Sequence, residues 1–229
     1  MRILINGGTR GIGRELVLKF ADNKSNQVLV TGRNKQMLEE LGSLSKNIIP
    51  YHFDITASEN QYKLLVEYVL KTSGQLEILI NCSGYLKSAG FIETDQEDAR
   101  KMMETNFFGP ARMIHNMKAL MSENSHIINI TSMGGYQGSA KFHGMSYYSA
   151  SKAALACLSE CLALEFSGSK IFVNALALGA VQTEMLQEAF PGYVAPVTAK
   201  DMAEFIAEFA INGHKYFNGK ILPVALSTP

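Results

Sequence analysis

Tyr148 and Lys152 stand four positions apart in an alanine-rich segment, Ser146 to Phe166, that reads as a helix, so the two side chains share one face about a turn apart. Ser132 follows the apolar run Ile127 to Thr131, which reads as a strand. A phenol, an ammonium and a hydroxyl held together suit the reduction of a carbonyl, in which a hydride arrives from a cofactor and the developing alkoxide needs a proton. A free phenol, with a pKa of roughly 10, is a weak acid–base group near neutrality. The ammonium of Lys152 is expected to favour the phenolate of Tyr148 and bring its pKa down toward the useful range. The Ser132 hydroxyl is expected to hold the substrate oxygen as charge builds on it. Tyr147 is a poorer candidate, because the residue four positions on is Ser151, which carries no charge.

A hydride needs a carrier, and the start of the chain offers a place for one. Asn6-Gly7-Gly8-Thr9-Arg10-Gly11-Ile12-Gly13 separates a short apolar run, Ile3 to Asn6, from a segment with helical spacing. Glycines at 7, 11 and 13 let the backbone turn sharply and approach a pyrophosphate, while the helix that follows presents unsatisfied amides and a partial positive charge. At the end of the second strand, an acidic residue would bind the adenosine ribose and repel a 2′-phosphate. Gly32 and Arg33 stand there instead, and Arg10 lies in the glycine turn. Two guanidiniums suit a phosphate dianion, which favours NADPH over NADH; otherwise both are solvated surface charges.

The elements that must position these groups alternate along the whole chain. Strands are expected at Ile3–Asn6, Gln27–Thr31, Ile48–Phe53, Leu76–Ile80, Ile127–Thr131, Lys170–Leu178 and Lys220–Ala225. Helices are expected at Arg10–Asn23, Asn34–Leu44, Ser58–Ser73, Asp95–Met121, Ser146–Phe166 and Met202–Ile211, the fourth bent near Gly109-Pro110. Such alternation implies a doubly wound α/β fold of Rossmann type: one domain over residues 1–229, with a mostly parallel seven-stranded sheet and helices on both faces. Ligands then bind beyond the carboxyl ends of the strands, where strand order reverses.

With these motifs in order, the chain resembles the short-chain dehydrogenase/reductase family, in the small single-domain form that includes 3-oxoacyl carrier-protein reductases. The likeness runs over nearly the whole chain. It is carried by the glycine turn, by Phe53-Asp54-Ile55, Asn81-Cys82-Ser83-Gly84, Thr105-Asn106-Phe107, Ile130-Thr131-Ser132, and by Tyr148 and Lys152. The resemblance implies a catalytic set of Ser132, Tyr148, Lys152 and Asn106. Tyr148 would donate the proton in reduction and accept it in oxidation, and Asn106 would help hold a relay water. It also implies a cofactor site made of Gly7, Thr9, Arg10, Gly11, Ile12, Gly13, Arg33, Asp54, Ile55, Asn81, Cys82, Ser83, Gly84, Tyr148, Lys152, Gly179, Val181 and Thr183. Lys152 would bind the nicotinamide ribose, and Thr183 the nicotinamide end.

The pattern is departed from in four places. Asn6 stands where threonine is usual, and Leu178-Gly179 replaces Pro-Gly. Ser132 and Tyr148 are 16 positions apart, which sends a longer loop, Gly134 to Met145 with His143, toward the pocket. The C-terminal segment, Leu222 to Pro229, lacks the usual glycine pair; a homodimer through the long fourth and fifth helices is expected, and a tetramer is left open. Residues 184–198, with Met185, Leu186, Phe190, Pro191, Tyr193 and Pro196, should form a short apolar substrate lid, which suits an open pocket or a small, partly apolar carbonyl or alcohol.

Bulk properties exclude several other classes. Lysine plus arginine equals aspartate plus glutamate at 21 each, so no global field recruits nucleic acid or an anionic membrane. No metal site is expected from the histidine and cysteine spacing. Cys157 and Cys161 read as small buried residues, and Cys82 as a thiol near the cofactor. Met1 leads directly into a strand and no run is long enough to span a bilayer, so a cytoplasmic protein is expected. A non-catalytic dinucleotide-binding regulator is the alternative. A sugar-nucleotide epimerase or dehydratase would require an added C-terminal domain, for which 229 residues leave no room.

Overall fold

In the computed structural model, which describes residues 1–226, the side chains of β1 (Arg2–Asn6) divide between two cores. Ile3 and Ile5 face one and Leu4 the other. The same division holds in β2 (Gln27–Gly32), where Val28 and Val30 oppose Leu29. A strand covered on both faces has no polar side, which is why these segments read as unbroken apolar runs. The helix α1 (Gly11–Asp22) closes the first crossover, with Leu16, Val17 and Phe20 on its buried face.

The chain continues through α2 (Lys35–Leu44), β3 (Ile48–His52), α3 (Glu59–Ser73) and β4 (Leu76–Asn81). After a helical stretch over residues 96–120, β5 (Met121–Ser132), α6 (Ser146–Glu165) and β6 (Phe172–Leu178) follow. Next come β7 (Val181–Gln182), α7 (Glu184–Ala189), β8 (Val197–Thr198), α8 (Ala199–Asn212) and β9 (Ile221–Val224). The main sheet has seven strands in the order β3-β2-β1-β4-β5-β6-β9, every pairing parallel, and β7 pairs with β8 separately. Strand order reverses between β1 and β4, which places a crevice beyond Asn6 and Asn81.

The expected single helix over Asp95–Met121 is one helical run that changes type along its length. The chain forms α4 (Gln96–Met103), a π-turn (Glu104–Phe108), α5 (Gly109–Met117) and a 3-10 turn (Lys118–Leu120). Pro110 lies in the first turn of α5, directly after the wide turn, where its missing N–H falls at the change in the hydrogen-bond ladder. That turn carries Asn106 onto the backbone of Tyr85. The strand β5 also starts earlier than expected. Its polar opening, Ser122-Glu123-Asn124-Ser125, hides the strand character, and Asn124 adopts φ 64°. The last helix starts at Ala199 because Thr198 caps it, its hydroxyl accepting from Asp201 N at 3.1 Å.

Cys157 and Cys161 are exposed on α6, contrary to the expected burial, because the apolar content of that helix is spread around its circumference. Among the described residues, no helix is long and apolar enough to cross a membrane. The last three residues of the C-terminal segment, 227–229, lie outside the described residues.

His126 opens the buried part of β5, and its protonation is tied to the fold. The Asn174 amide donates to its Nε2 at 2.9 Å, so Nδ1 carries the hydrogen and donates to the Ala210 carbonyl at 3.1 Å. Burial holds this imidazole down at about 4. In the unfolded chain it titrates near 6.5, so folding is unaffected above that value and is penalised progressively as pH falls toward 4, by about 3 kcal/mol in all. Urea unfolding at pH 7 and pH 4.5 should show a loss with acid that is about 2 kcal/mol smaller in His126→Gln than in the wild type. Parallel losses in the two proteins would remove His126 from the acid response.

Candidate active site

The glycine turn is a packing solution before it is a ligand site. Gly7 has φ 83°, and a Cβ there would lie 2.5 Å from Ser83 N. A Cβ on Gly13 would lie 2.1 Å from the Gly7 carbonyl oxygen. Only glycine lets β1, the end of β4 and the start of α1 meet this closely. Asn6 ties the strand ends together: its amide donates to Ser83 Oγ and its carbonyl accepts from Thr31 Oγ1, each at 3.0 Å. Asn6 therefore does the local bonding expected of a threonine, and it reaches two neighbouring strand ends. Side chains of Asn34, Asp95, Thr183 and Thr198 cap their helices, whereas α1 has no side-chain cap and no acidic residue in its first turn. Its leading amides are left for another acceptor.

Beyond these strand ends lies a cavity of about 750 Å³. At one end it is lined by Gly7, Thr9, Arg10, Gly11, Ile12, Gly13, Arg33, Asp54 and Ile55. Cys82, Ser83, Gly84, Ser132, Tyr148 and Lys152 form its middle wall, followed by Gly179, Val181 and Thr183. Two residues of the expected set are not on this wall. Asn81 is buried in β4 and donates to Asn129 Oδ1 at 2.8 Å, continuing the sheet interior. Asn106 is fully buried: its Oδ1 accepts from Tyr85 N at 2.8 Å, and its amide donates to the Tyr85 carbonyl at 2.9 Å and to Ser151 Oγ at 3.0 Å. Both amide hydrogens are thus used, and the side chain fixes the segment after Gly84 against α6.

The basic pair is split. Arg10 Nη1 donates to Glu188 Oε1 at 2.6 Å, across the cavity edge on α7, while Arg33 lines the cavity and forms no ion pair among the described residues. Nothing in the spacing of an exposed glutamate signalled this contact. Asp54 turns back on its own loop, where Oδ1 accepts from Thr56 N at 2.9 Å and Thr56 Oγ1 at 2.8 Å.

Tyr148 and Lys152 share the expected face. Tyr148 and Ser132 face the same cavity, and the Ser132 Oγ accepts from Gly134 N at 3.1 Å. Lys152 Nζ donates to the carbonyl of Ile130 at 2.9 Å, two residues before that serine on β5. The expected lowering of the phenol is overturned. Burial pushes Tyr148 up to about 12, only partly offset by the neighbouring Ser132 hydroxyl, and burial also brings Lys152 down to about 8. The ammonium is aimed at a backbone carbonyl, and desolvation governs the phenol. Cys82 lies beside both groups, and burial raises its thiol to about 11, which leaves it protonated and unreactive at neutrality.

The far end of the cavity is apolar. From the segment 184–198 come Met185, Leu186, Phe190, Tyr193 and Pro196, and from the loop after Ser132 come Gly134, Phe142 and Met145. Leu86 and Met133, which the sequence did not single out, join them. His143 is exposed and is not part of the lining. Thr183 caps α7 by accepting from Leu186 N at 3.3 Å, and its hydroxyl hydrogen remains available.

This topology is matched by known proteins. The sequence fits the short chain dehydrogenase family over residues 1–193. It is 30% identical over 181 residues to a mouse 3-oxoacyl-[acyl-carrier-protein] reductase, covering 78% of this chain and 75% of that protein. It is 32% identical over 185 residues to an NADPH-dependent 1-acyldihydroxyacetone phosphate reductase of Schizosaccharomyces pombe, covering 80% of this chain and 60% of that one. Among solved structures, ElxO with NADP bound superposes with a TM-score of 0.84 at 28% identity, covering 98% of this chain and 96% of that one. A Serratia marcescens short-chain dehydrogenase/reductase mutant shares the fold, with a TM-score of 0.87 over 98% of this chain and 96% of its own, at 24% identity. The chain belongs to the short-chain dehydrogenase family and is an oxidoreductase of that class.

Proposed function

We propose that this protein reduces a ketone or aldehyde to an alcohol with NADPH, with Tyr148 as proton donor. The observation that carries this reading is that Ser132, Tyr148 and Lys152 together line the cavity that the glycine turn opens into. A phenol held at about 12 stays protonated at neutral pH, so it is ready to donate to an alkoxide, which is what reduction requires. The Ser132 hydroxyl polarises the substrate oxygen, and Lys152 holds the ribose end of the cofactor while its charge assists proton transfer. Asn106 acts as a positioning residue through Tyr85 and Ser151, not as a water ligand through its amide.

The cavity fits a dinucleotide on the chain's own features: an open helix terminus at Gly11, a backbone approach that only glycine permits, and Arg33 without a carboxylate partner. The cofactor would supply the hydride. Thr9, Arg10, Gly11, Ile12 and Gly13 would hold its phosphates, Asp54 and Ile55 the adenine, and Cys82, Ser83, Gly84, Gly179, Val181 and Thr183 the nicotinamide half, with Asn81 supporting from behind. The apolar far end favours a small, partly apolar carbonyl under a lid formed by residues 184–198 of a single domain. Phe108 and Leu164, exposed on the α4–α6 side, support a homodimer, and three free cysteines suit the reducing cytoplasm.

The test is NADPH oxidation against a panel of ketones, aldehydes, quinones and oxoacyl thioesters. Turnover of at least one apolar carbonyl is expected. Tight cofactor binding without turnover across the panel would favour a regulator instead.

A further inference from the structure

The lid helix and the glycine turn are joined by a charge contact that neither the fold nor the reaction chemistry requires. Arg10 stands at the start of α1, and Glu188 stands one residue before the end of α7. Their side chains meet as a fork, Nη1 to Oε1 at 2.6 Å and Nη2 to Oε2 at 3.5 Å. That is the geometry in which a guanidinium grips a phosphate. None of the residues of α7 is buried, so the helix is held by its Thr183 cap, by light packing such as Met185 near Gly84, and by this ion pair. The pair itself is solvent-accessible, with Arg10 42% and Glu188 62% exposed, so it exchanges readily for a stronger anion.

We propose that Glu188 is a specificity-determining residue of the cofactor site: its carboxylate competes with the cofactor's 2′-phosphate for the Arg10 guanidinium. This rests on the NADPH reading above. A dinucleotide that carries the phosphate takes Arg10 from Glu188 and frees α7, whereas one that lacks it leaves the lid tied to the glycine turn. Because α7 also carries Met185 and Leu186 on the apolar wall, an event at the adenosine end alters access at the substrate end.

The experiment measures dissociation constants of NADPH and NADH, by nucleotide fluorescence at fixed ionic strength, for wild type, Glu188→Gln, Arg10→Ala and the double variant. Removing the competing charge should tighten NADPH binding about two- to fivefold, the range an exposed pair supplies, and leave NADH nearly unchanged. In the Arg10→Ala background the gain should vanish, since no guanidinium remains to be released. An unchanged NADPH constant in Glu188→Gln, an equal gain for NADH, or a gain that survives without Arg10 overturns the proposal. If wild type binds NADH as tightly as NADPH, the 2′-phosphate reading falls and this proposal falls with it. If NADPH is preferred but Glu188→Gln is silent, only the role of Glu188 is lost.

Discussion

Tyr148→Phe is expected to lower kcat by about 10²–10⁴-fold while the NADPH dissociation constant stays within about twofold. The substitution removes one oxygen and keeps the ring that fills the wall between Ser132 and Cys82. On the proposed reading the group lost is the proton donor, so the deficit belongs in the chemical step. The pH behaviour should follow from the raised phenol. Reduction needs the protonated form, which persists through neutrality and is depleted only as pH approaches about 12. Alcohol oxidation needs the phenolate, whose fraction grows with pH over the same span, so its rate should climb with alkali while reduction stays level near neutral pH. Steady-state rates in both directions from pH 6 to 9 check this; an oxidation rate that is flat across that range would take the phenol out of the proton path.

Arg33→Ala carries the second large effect. If Arg33 meets the 2′-phosphate, its removal deletes a charge-assisted hydrogen-bonded contact, and NADPH affinity should fall about 10- to 100-fold. NADH, which has no such phosphate, should bind within about twofold of wild type. The effect should exceed that of Arg10→Ala, because Arg10 already spends its fork on Glu188 while Arg33 has no ion pair among the described residues. Fluorescence titration of both nucleotides decides it. Equal losses for NADPH and NADH would mean that Arg33 supports the loop and does not read the phosphate.

The parts of this molecule that were legible in its sequence are those governed by local rules. Strands buried on both faces appear as runs such as Ile3-Leu4-Ile5, and the turn at Gly7 and Gly13 exists because any Cβ would strike backbone. Spacing four along a helix was enough to put Tyr148 and Lys152 on one face. What escaped depended on contacts distant in sequence. The π-turn at Glu104–Phe108 holds Asn106 against Tyr85, 21 residues away in sequence, and local propensity does not record that contact. The Arg10–Glu188 contact spans 178 residues. The direction of the Tyr148 shift is hidden from the sequence for the same kind of reason: a neighbouring charge can be counted along a helix, whereas burial and the orientation of Nζ toward Ile130 emerge only once the sheet is assembled.

Proton donation by Tyr148 during hydride transfer is tested most directly in a single turnover. Reduced cofactor would be bound to wild type and to Tyr148→Phe, each mixed with the same reducible ketone, and the loss of NADPH absorbance followed. Stoichiometric loss is expected in the wild type, with none on that timescale in the variant even though both hold the cofactor. Equal consumption by the two proteins would contradict it.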